Sequence, residues 1–232
     1  MPSNLPLLEE AVHKLQQLVD EVVFVGGATL DLMITDPGAS PVRTTIDVDV
    51  IVEIMTYADY VITFSERLRA LGFSEDMREE APRCRWVHHG LTLDVMPLNE
   101  AVLGFSNRWY RGAMEAAQTL TLPKGTQIRV ISAPYFLGTK LEAFRGRGEK
   151  DYFASRDLED FVAVLEGRQT ILAEIEAAPQ ELRAYLQNAT RDLLAEARFV
   201  DALPGYLPGD PISQQRIEIV LRNLRSLADQ AK

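Results

Sequence analysis

The chain has 232 residues, 47% of them hydrophobic and 25% charged, with a formal net charge of −10. This composition belongs to a globular chain able to bury a core, and it excludes a largely disordered or collagen-like protein. No apolar run reaches the ~18–20 residues of a membrane span, the acidic start MPSNLPLLEE predicts no signal peptide, and the single Cys84 excludes an internal disulfide and predicts a reducing cytoplasm.

Leu5–Val19 carries apolar residues at helical spacing and predicts an amphipathic helix. Val22–Val25 is a β-branched run that enters Gly26-Gly27, so a strand leads into a turn. Ala28–Ile34 reads as a helix stopped by Asp36-Pro37-Gly38. Ile46–Glu53 alternates and predicts a strand with Ile46, Val48 and Val50 facing the core. Tyr60–Leu71 predicts a helix closed by Gly72. Arg85–His88 and Leu91–Met96 flank His89-Gly90 and predict a hairpin. A further strand is expected at Gln127–Ile131.

From Pro134 the pattern becomes helical. Helices are expected at Tyr135–Phe144, at Ser155–Glu166, and around 169–177, 180–200 and 212–230. The expected architecture is an α/β half of four or five strands over residues 1–132, with a helical domain over 133–232 forming the other wall of a cleft. The charge follows this division. Residues 1–60 carry a balance of −8, 61–107 of −2, 108–150 of +5 and 151–232 of −5. Carboxylates at the front suit a cation and basic residues in the middle suit phosphates. The net acidity disfavours a surface that clamps nucleic acid throughout.

The most informative stretch is Gly26-Gly27 followed by Arg43-Thr44-Thr45-Ile46-Asp47-Val48-Asp49. Bare amides at a helix start attract an anion, phosphate above all. On a strand, Asp47 and Asp49 face one side. Two like charges held together need a cation, and Mg2+ shared with substrate phosphates meets that need. Asp94, flanked by Leu93 and Val95 in a second strand, supplies a third carboxylate for a two-metal centre. Lys140 lies near the apolar stripe of its helix, where a lysine either snorkels or holds a ligand. Arg145, Arg147 and Lys150 follow in a glycine-spaced segment. Asp157 near a helix start is either a cap or a site residue. His88 and His89 belong to a hairpin tip without a third zinc ligand. Trp86 and Trp109 read as packing residues, the alternative for Trp109, beside Arg108, Tyr110 and Arg111, being to stack a base.

The order Gly-Gly, helix, Asp-x-Asp on one strand and Asp on a later strand resembles the nucleotidyltransferases of the DNA polymerase β superfamily. The string Arg43-x-Thr45-x-Asp47-Val48-Asp49 is similar to minimal bacterial members, the AbiEii and MenT-like toxins. The likeness spans about residues 20–166. Two features depart from it: a longer gap between Gly27 and Asp47, and glycine where relatives often have serine. The resemblance implies a polymerase-β-like core and transfer of a nucleoside monophosphate from an NTP, ATP among those expected, to an acceptor hydroxyl. It implies Asp47, Asp49 and Asp94 as ligands of Mg2+ or Mn2+ and as catalytic groups, with Asp157 as a further catalytic residue. Gly26, Gly27, Thr45, Lys140 and Arg145 would contact the nucleotide. The acceptor would be tRNA or a protein, and the partner of a toxin would be an antitoxin protein. A small-molecule nucleotidyltransferase of the antibiotic-modifying kind, or a non-catalytic nucleotide- or partner-binding module, are the alternatives. Retention of all three carboxylates favours an enzyme over the module.

Overall fold

The computed structural model describes residues 3–54, 56–146 and 151–229. They divide into two compact units. Among them, residues 3–29 together with Thr44–Ser132 form a sheet unit, and Leu30–Arg43 with the described residues after 132 form a helical unit. The strands are β1 (Val22–Val25), β2 (Asp47–Val52), β3 (Ser74–Glu75), β4 (Arg85–His88), β5 (Leu91–Pro97), β6 (Gln118–Thr121) and β7 (Gln127–Val130). The helices are α1 (Leu5–Leu15), α2 (Leu30–Met33), α3 (Ser65–Ala70), α4 (Glu100–Leu103), α5 (Tyr110–Glu115), α6 (Ala133–Gly146), α7 (Arg156–Gly167), α8 (Ile171–Glu176), α9 (Gln180–Ala195), α10 (Ala197–Ala202), α11 (Pro211–Gln215) and α12 (Ile217–Asp229). The fold is mixed α/β with a helical C-terminal half, and among the described residues no helix is long and apolar enough to cross a membrane.

Among the described residues seven strands lie in the sheet unit, in the order β3-β4-β5-β2-β1-β7-β6, where four or five were expected. The pairs β2–β5 and β1–β7 are parallel and the others antiparallel. Val22–Val25 is buried at every position, as a central strand flanked on both sides requires. In β2, Val48 and Val50 are buried while Asp47 and Asp49 are partly exposed, so the alternation holds until Ile51 and Val52 bury both faces. Ile46 departs from expectation: it precedes the strand and is 77% exposed. The apolar face of α1, with Leu8, Ala11, Val12 and Leu15 buried, packs against β2 and β5. Trp86 is buried, and its indole N–H donates to the Tyr60 hydroxyl at 3.4 Å, which donates to the Val95 carbonyl at 3.3 Å. Trp109 is buried as well, so both tryptophans pack.

In the helical unit, α7 packs against α6, α12 and the one-turn α2. Its inner face buries Leu158, Phe161, Val162, Val164 and Leu165. The segment expected as one helix over 180–200 is two, broken at the extended Glu196, whose side chain caps α10. Leu30–Arg43 is stitched to the end of α7. The Thr35 and Asp36 amides donate to the Gly167 carbonyl at 2.9 Å each, and Arg168 donates to the Met33 carbonyl at 2.9 Å. Buried Glu166 accepts from the Ser40 amide at 3.0 Å and from Arg216, whose other end pairs with Asp36 at 2.6 Å.

Removing one partner of a buried ion pair strands the other charge, at a cost of about 3–5 kcal/mol. Glu166→Ala is therefore expected to lower the urea-unfolding free energy by about that amount. An unfolding midpoint equal to that of wild type would contradict the clamp.

Candidate active site

The site begins with strand register. β2 and β5 run parallel with Asp47 opposite Thr92 and Asp49 opposite Asp94. Residues opposite each other on neighbouring strands share a face, so Asp47, Asp49 and Asp94 lie together on one face of two adjacent strands. The hairpin adds a fourth group. His89 and Gly90 both have positive φ, 45° and 90°, as a two-residue hairpin turn of the primed type requires. That turn sets His88 opposite Leu91 and Arg85 opposite Asp94. On the other side Val25 faces Asp49. Arg85, Asp94, Asp49 and Val25 thus form one row across β4, β5, β2 and β1.

The Arg85 guanidinium lies fork to fork on Asp94, with Nε to Oδ1 at 2.8 Å and Nη2 to Oδ2 at 2.7 Å, and Nη2 reaches Asp47 Oδ2 at 3.2 Å. Hydrogen bonds to Asp94, and then the charges of Asp94 and Asp47, push the Arg85 pKa further up. Asp47 also accepts from the Thr45 hydroxyl at 2.5 Å, and the Thr45 amide is fixed by the buried Asn4 side chain at 2.9 Å. Beside this row, burial and the nearby Asp94 and Asp49 charges push the Cys84 thiol up to about 12, which leaves it unreactive.

Gly26 follows β1 with φ +71°, and a Cβ there would fall on the Asp49 carboxylate. Both the conformation and the space demand glycine. The helix expected behind it is shorter than foreseen: Gly27–Thr29 is a 3-10 turn and Leu30–Met33 one α-turn. So brief a helix carries little macrodipole, and an anion here would be held by individual amides. The Gly26 carbonyl already accepts from the Thr29 amide and hydroxyl at 3.1 and 2.8 Å.

The helical unit holds the other candidates. Ser155 caps α7 by accepting from the Leu158 amide at 3.3 Å, so Asp157 is not the cap; it is buried at the second helical position. Asp160, three residues on and therefore on the same helix face, is fully buried. Lys140 Nζ lies 2.6 Å from Asp160 and 3.4 Å from Asp157. Arg43 grips Asp160 with both ends of its fork, at 2.6 and 2.9 Å. Asp160 thus orders Lys140 and Arg43 together. Arg145, five residues after Lys140 on α6, turns to α9 instead, where it pairs with Asp192 at 3.0 Å and lies over the Tyr185 ring. Arg147 and Lys150 lie outside the described residues.

Two organising residues were not singled out from the sequence. Arg85 follows from the two-residue hairpin, whose register alone puts it opposite Asp94. Asp160 follows from its spacing to Asp157. Among the described residues, no three His, Cys, Asp or Glu side chains are drawn together as a ready cation site, and at Asp94 and Asp47 the positive charge present is that of Arg85.

Gly26→Ala combines a left-handed conformation with a collision at Asp49. A loss of about 2–3 kcal/mol of stability is expected in chemical denaturation. Retention of wild-type stability would show that Asp49 can vacate this position without cost.

No protein-family model matches the sequence, and no curated protein matches it. Two solved structures are similar over almost the whole chain. JHP933 from Helicobacter pylori aligns with a TM-score of 0.50 at 14% identity, covering 98% of this chain and 92% of that one. A candidate nucleotidyltransferase from H. pylori aligns with a TM-score of 0.49 at 15% identity, covering 97% and 91%. At such identities the likeness to JHP933 concerns the fold, which the two chains share.

Proposed function

We propose that this chain is a metal-dependent nucleotidyltransferase of the DNA polymerase β type. It would move a nucleoside monophosphate from an NTP to an acceptor hydroxyl. The observation that carries this reading is the row of Asp47, Asp49 and Asp94 on adjacent strands with the Gly26 backbone pressed against Asp49. An ordinary solvated strand face needs neither a third carboxylate in register nor a glycine cleared of its Cβ.

The donor set suits a hard divalent cation. Three carboxylates on one sheet face would supply the oxygen ligands, once drawn together around the ion. Asp47, Asp49 and Asp94 would hold Mg2+ or Mn2+, which when bound neutralises charge on the triphosphate and on the departing pyrophosphate. In the reaction the acceptor oxygen bonds to the α-phosphorus as the α–β anhydride bond breaks, and pyrophosphate leaves. Asp94 would accept the acceptor proton. Amides at Gly26 and Gly27, with Thr45, would orient the phosphates. Lys140, the cation held by Asp160, is assigned to the nucleotide, with Asp157 as its positioning carboxylate; Arg145 would join it only on leaving Asp192. By its resemblance to the AbiEii and MenT-like group, the chain would act in the cytoplasm on tRNA or a protein as the toxin of a toxin–antitoxin pair.

The test is incubation with each labelled NTP, Mg2+ or Mn2+, and separately total tRNA, lysate protein and small acceptors. Label is expected in one acceptor class with equimolar pyrophosphate; no transfer in any combination would overturn the proposal. Asp47→Asn and Asp49→Asn should each reduce transfer at least about a thousandfold, the scale of roughly 4 kcal/mol of lost transition-state stabilisation. Both should melt within a few degrees of wild type in EDTA. Lys140→Ala should raise the KM for NTP about ten- to a hundredfold, as the loss of one charge-assisted contact predicts, and leave the acceptor KM nearly unchanged. A rise confined to the acceptor KM would remove Lys140 from the nucleotide site.

A further inference from the structure

Arg85 stands where the proposed chemistry would place a cation. Its fork takes both oxygens of Asp94 at 2.7 and 2.8 Å, and the same Nη2 reaches Asp47 at 3.2 Å. The pairs are well shielded: the side chains of Arg85, Asp94 and Asp47 are 20%, 10% and 28% exposed. Charge-assisted bidentate pairs are among the strongest polar contacts, and this one uses the paired oxygen edge that a chelated cation would use. The arrangement is built into the backbone, because the two-residue hairpin fixes Arg85 opposite Asp94. It also solves a folding problem. With no metal present, adjacent carboxylates on a sheet face repel, and Arg85 supplies the missing positive charge.

A withdrawn guanidinium would need room beside β4. Arg85 also lines a cavity of about 440 Å3 with Tyr57, Asp76, Arg78 and Arg83. The Asp76 carboxylate there is held low chiefly by its hydrogen bonds from Arg78 and only lastly by the Arg85 charge.

We propose that Arg85 is a displaceable internal counter-cation: it competes with the divalent cation for Asp94 and Asp47, and must leave them before the metal can bind. The proposal rests on the metal-dependent reading above. It makes the resting protein stable without metal and sets a threshold below which the carboxylates stay closed. The cation then binds by exchange for a guanidinium, so its affinity is lowered by whatever the Arg85 contacts contribute.

The experiment measures Mn2+ binding to the chelator-treated full chain by electron paramagnetic resonance and calorimetry, with no nucleotide or acceptor. Wild type is compared with Arg85→Gln, which removes the charge, and Arg85→Lys, which keeps it without the fork. Arg85→Gln is expected to bind Mn2+ about ten- to a hundredfold more tightly than wild type, the worth of a charge-assisted contact. Arg85→Lys should fall between them. In EDTA, Arg85→Gln should melt below wild type and gain more from added Mn2+. Equal or weaker Mn2+ binding by both variants, or binding by none of the three proteins, overturns the proposal. Failure here is separable from failure of the catalytic reading. Active wild type with unchanged Mn2+ affinity in the variants sinks only the counter-cation, whereas tighter binding without any nucleotide transfer sinks only the nucleotidyltransferase.

Discussion

Like charges on one face of a sheet are the constraint around which the sheet unit is arranged. β2 places two aspartates two residues apart, and parallel pairing with β5 adds a third at the same level. Left alone, such a cluster would oppose the strand pairing that creates it. The chain answers with position rather than distance. A two-residue turn brings Arg85 opposite Asp94, a threonine hydroxyl and an asparagine hold the approach to Asp47, and a glycine with positive φ makes room for Asp49. All of these but the asparagine, which reaches Thr45 across 41 residues, are local in sequence or fixed by backbone register.

The helical unit handles its charge differently. Two of its buried carboxylates, Asp160 and Glu166, each receive an arginine together with a second donor. Burial on this scale is tolerated only when every lone pair is met. The outcome is that Leu30–Arg43 is fastened to α7 at both ends, by Arg43 on Asp160 and by Ser40 and Asp36 around Glu166 and Arg216. Lys140 is ordered as a by-product, since its ammonium shares Asp160 with Arg43. A lysine near an apolar stripe is here neither a loose snorkeling chain nor a mobile surface charge.

Much of this was legible in the sequence, for reasons that differ by element. Val22–Val25 and the His89-Gly90 hairpin were readable because continuous β-branched burial and a two-residue turn are strong local signals. The pairing of Asp49 with Asp94 was expected in kind, since both sit in apolar strands. β6 was not legible: Gln118–Thr121 is largely exposed and shows no apolar alternation. β3 has only two residues. Ile46 was misjudged because alternation gives a period but not the residue at which the strand starts. The attachment of Leu30–Arg43 to the helices rests on pairs 117 to 180 residues apart, which no local pattern encodes. Arg85 and Asp160 lay in between. Their positions follow from a turn length and a helical spacing, but only once the aspartate each one faces is taken as the fixed point.

The proposed cation-binding face of Asp47, Asp49 and Asp94 is held ready by Gly26 and closed by Arg85. The most direct measurement is a crystal structure grown with Mn2+ and a non-hydrolysable NTP analogue, with the cation located by its anomalous scattering. A peak is expected within bonding distance of these carboxylates, with the Arg85 guanidinium withdrawn from Asp94. A nucleotide bound with no peak at these carboxylates, and Arg85 still lying fork to fork on Asp94, would contradict it.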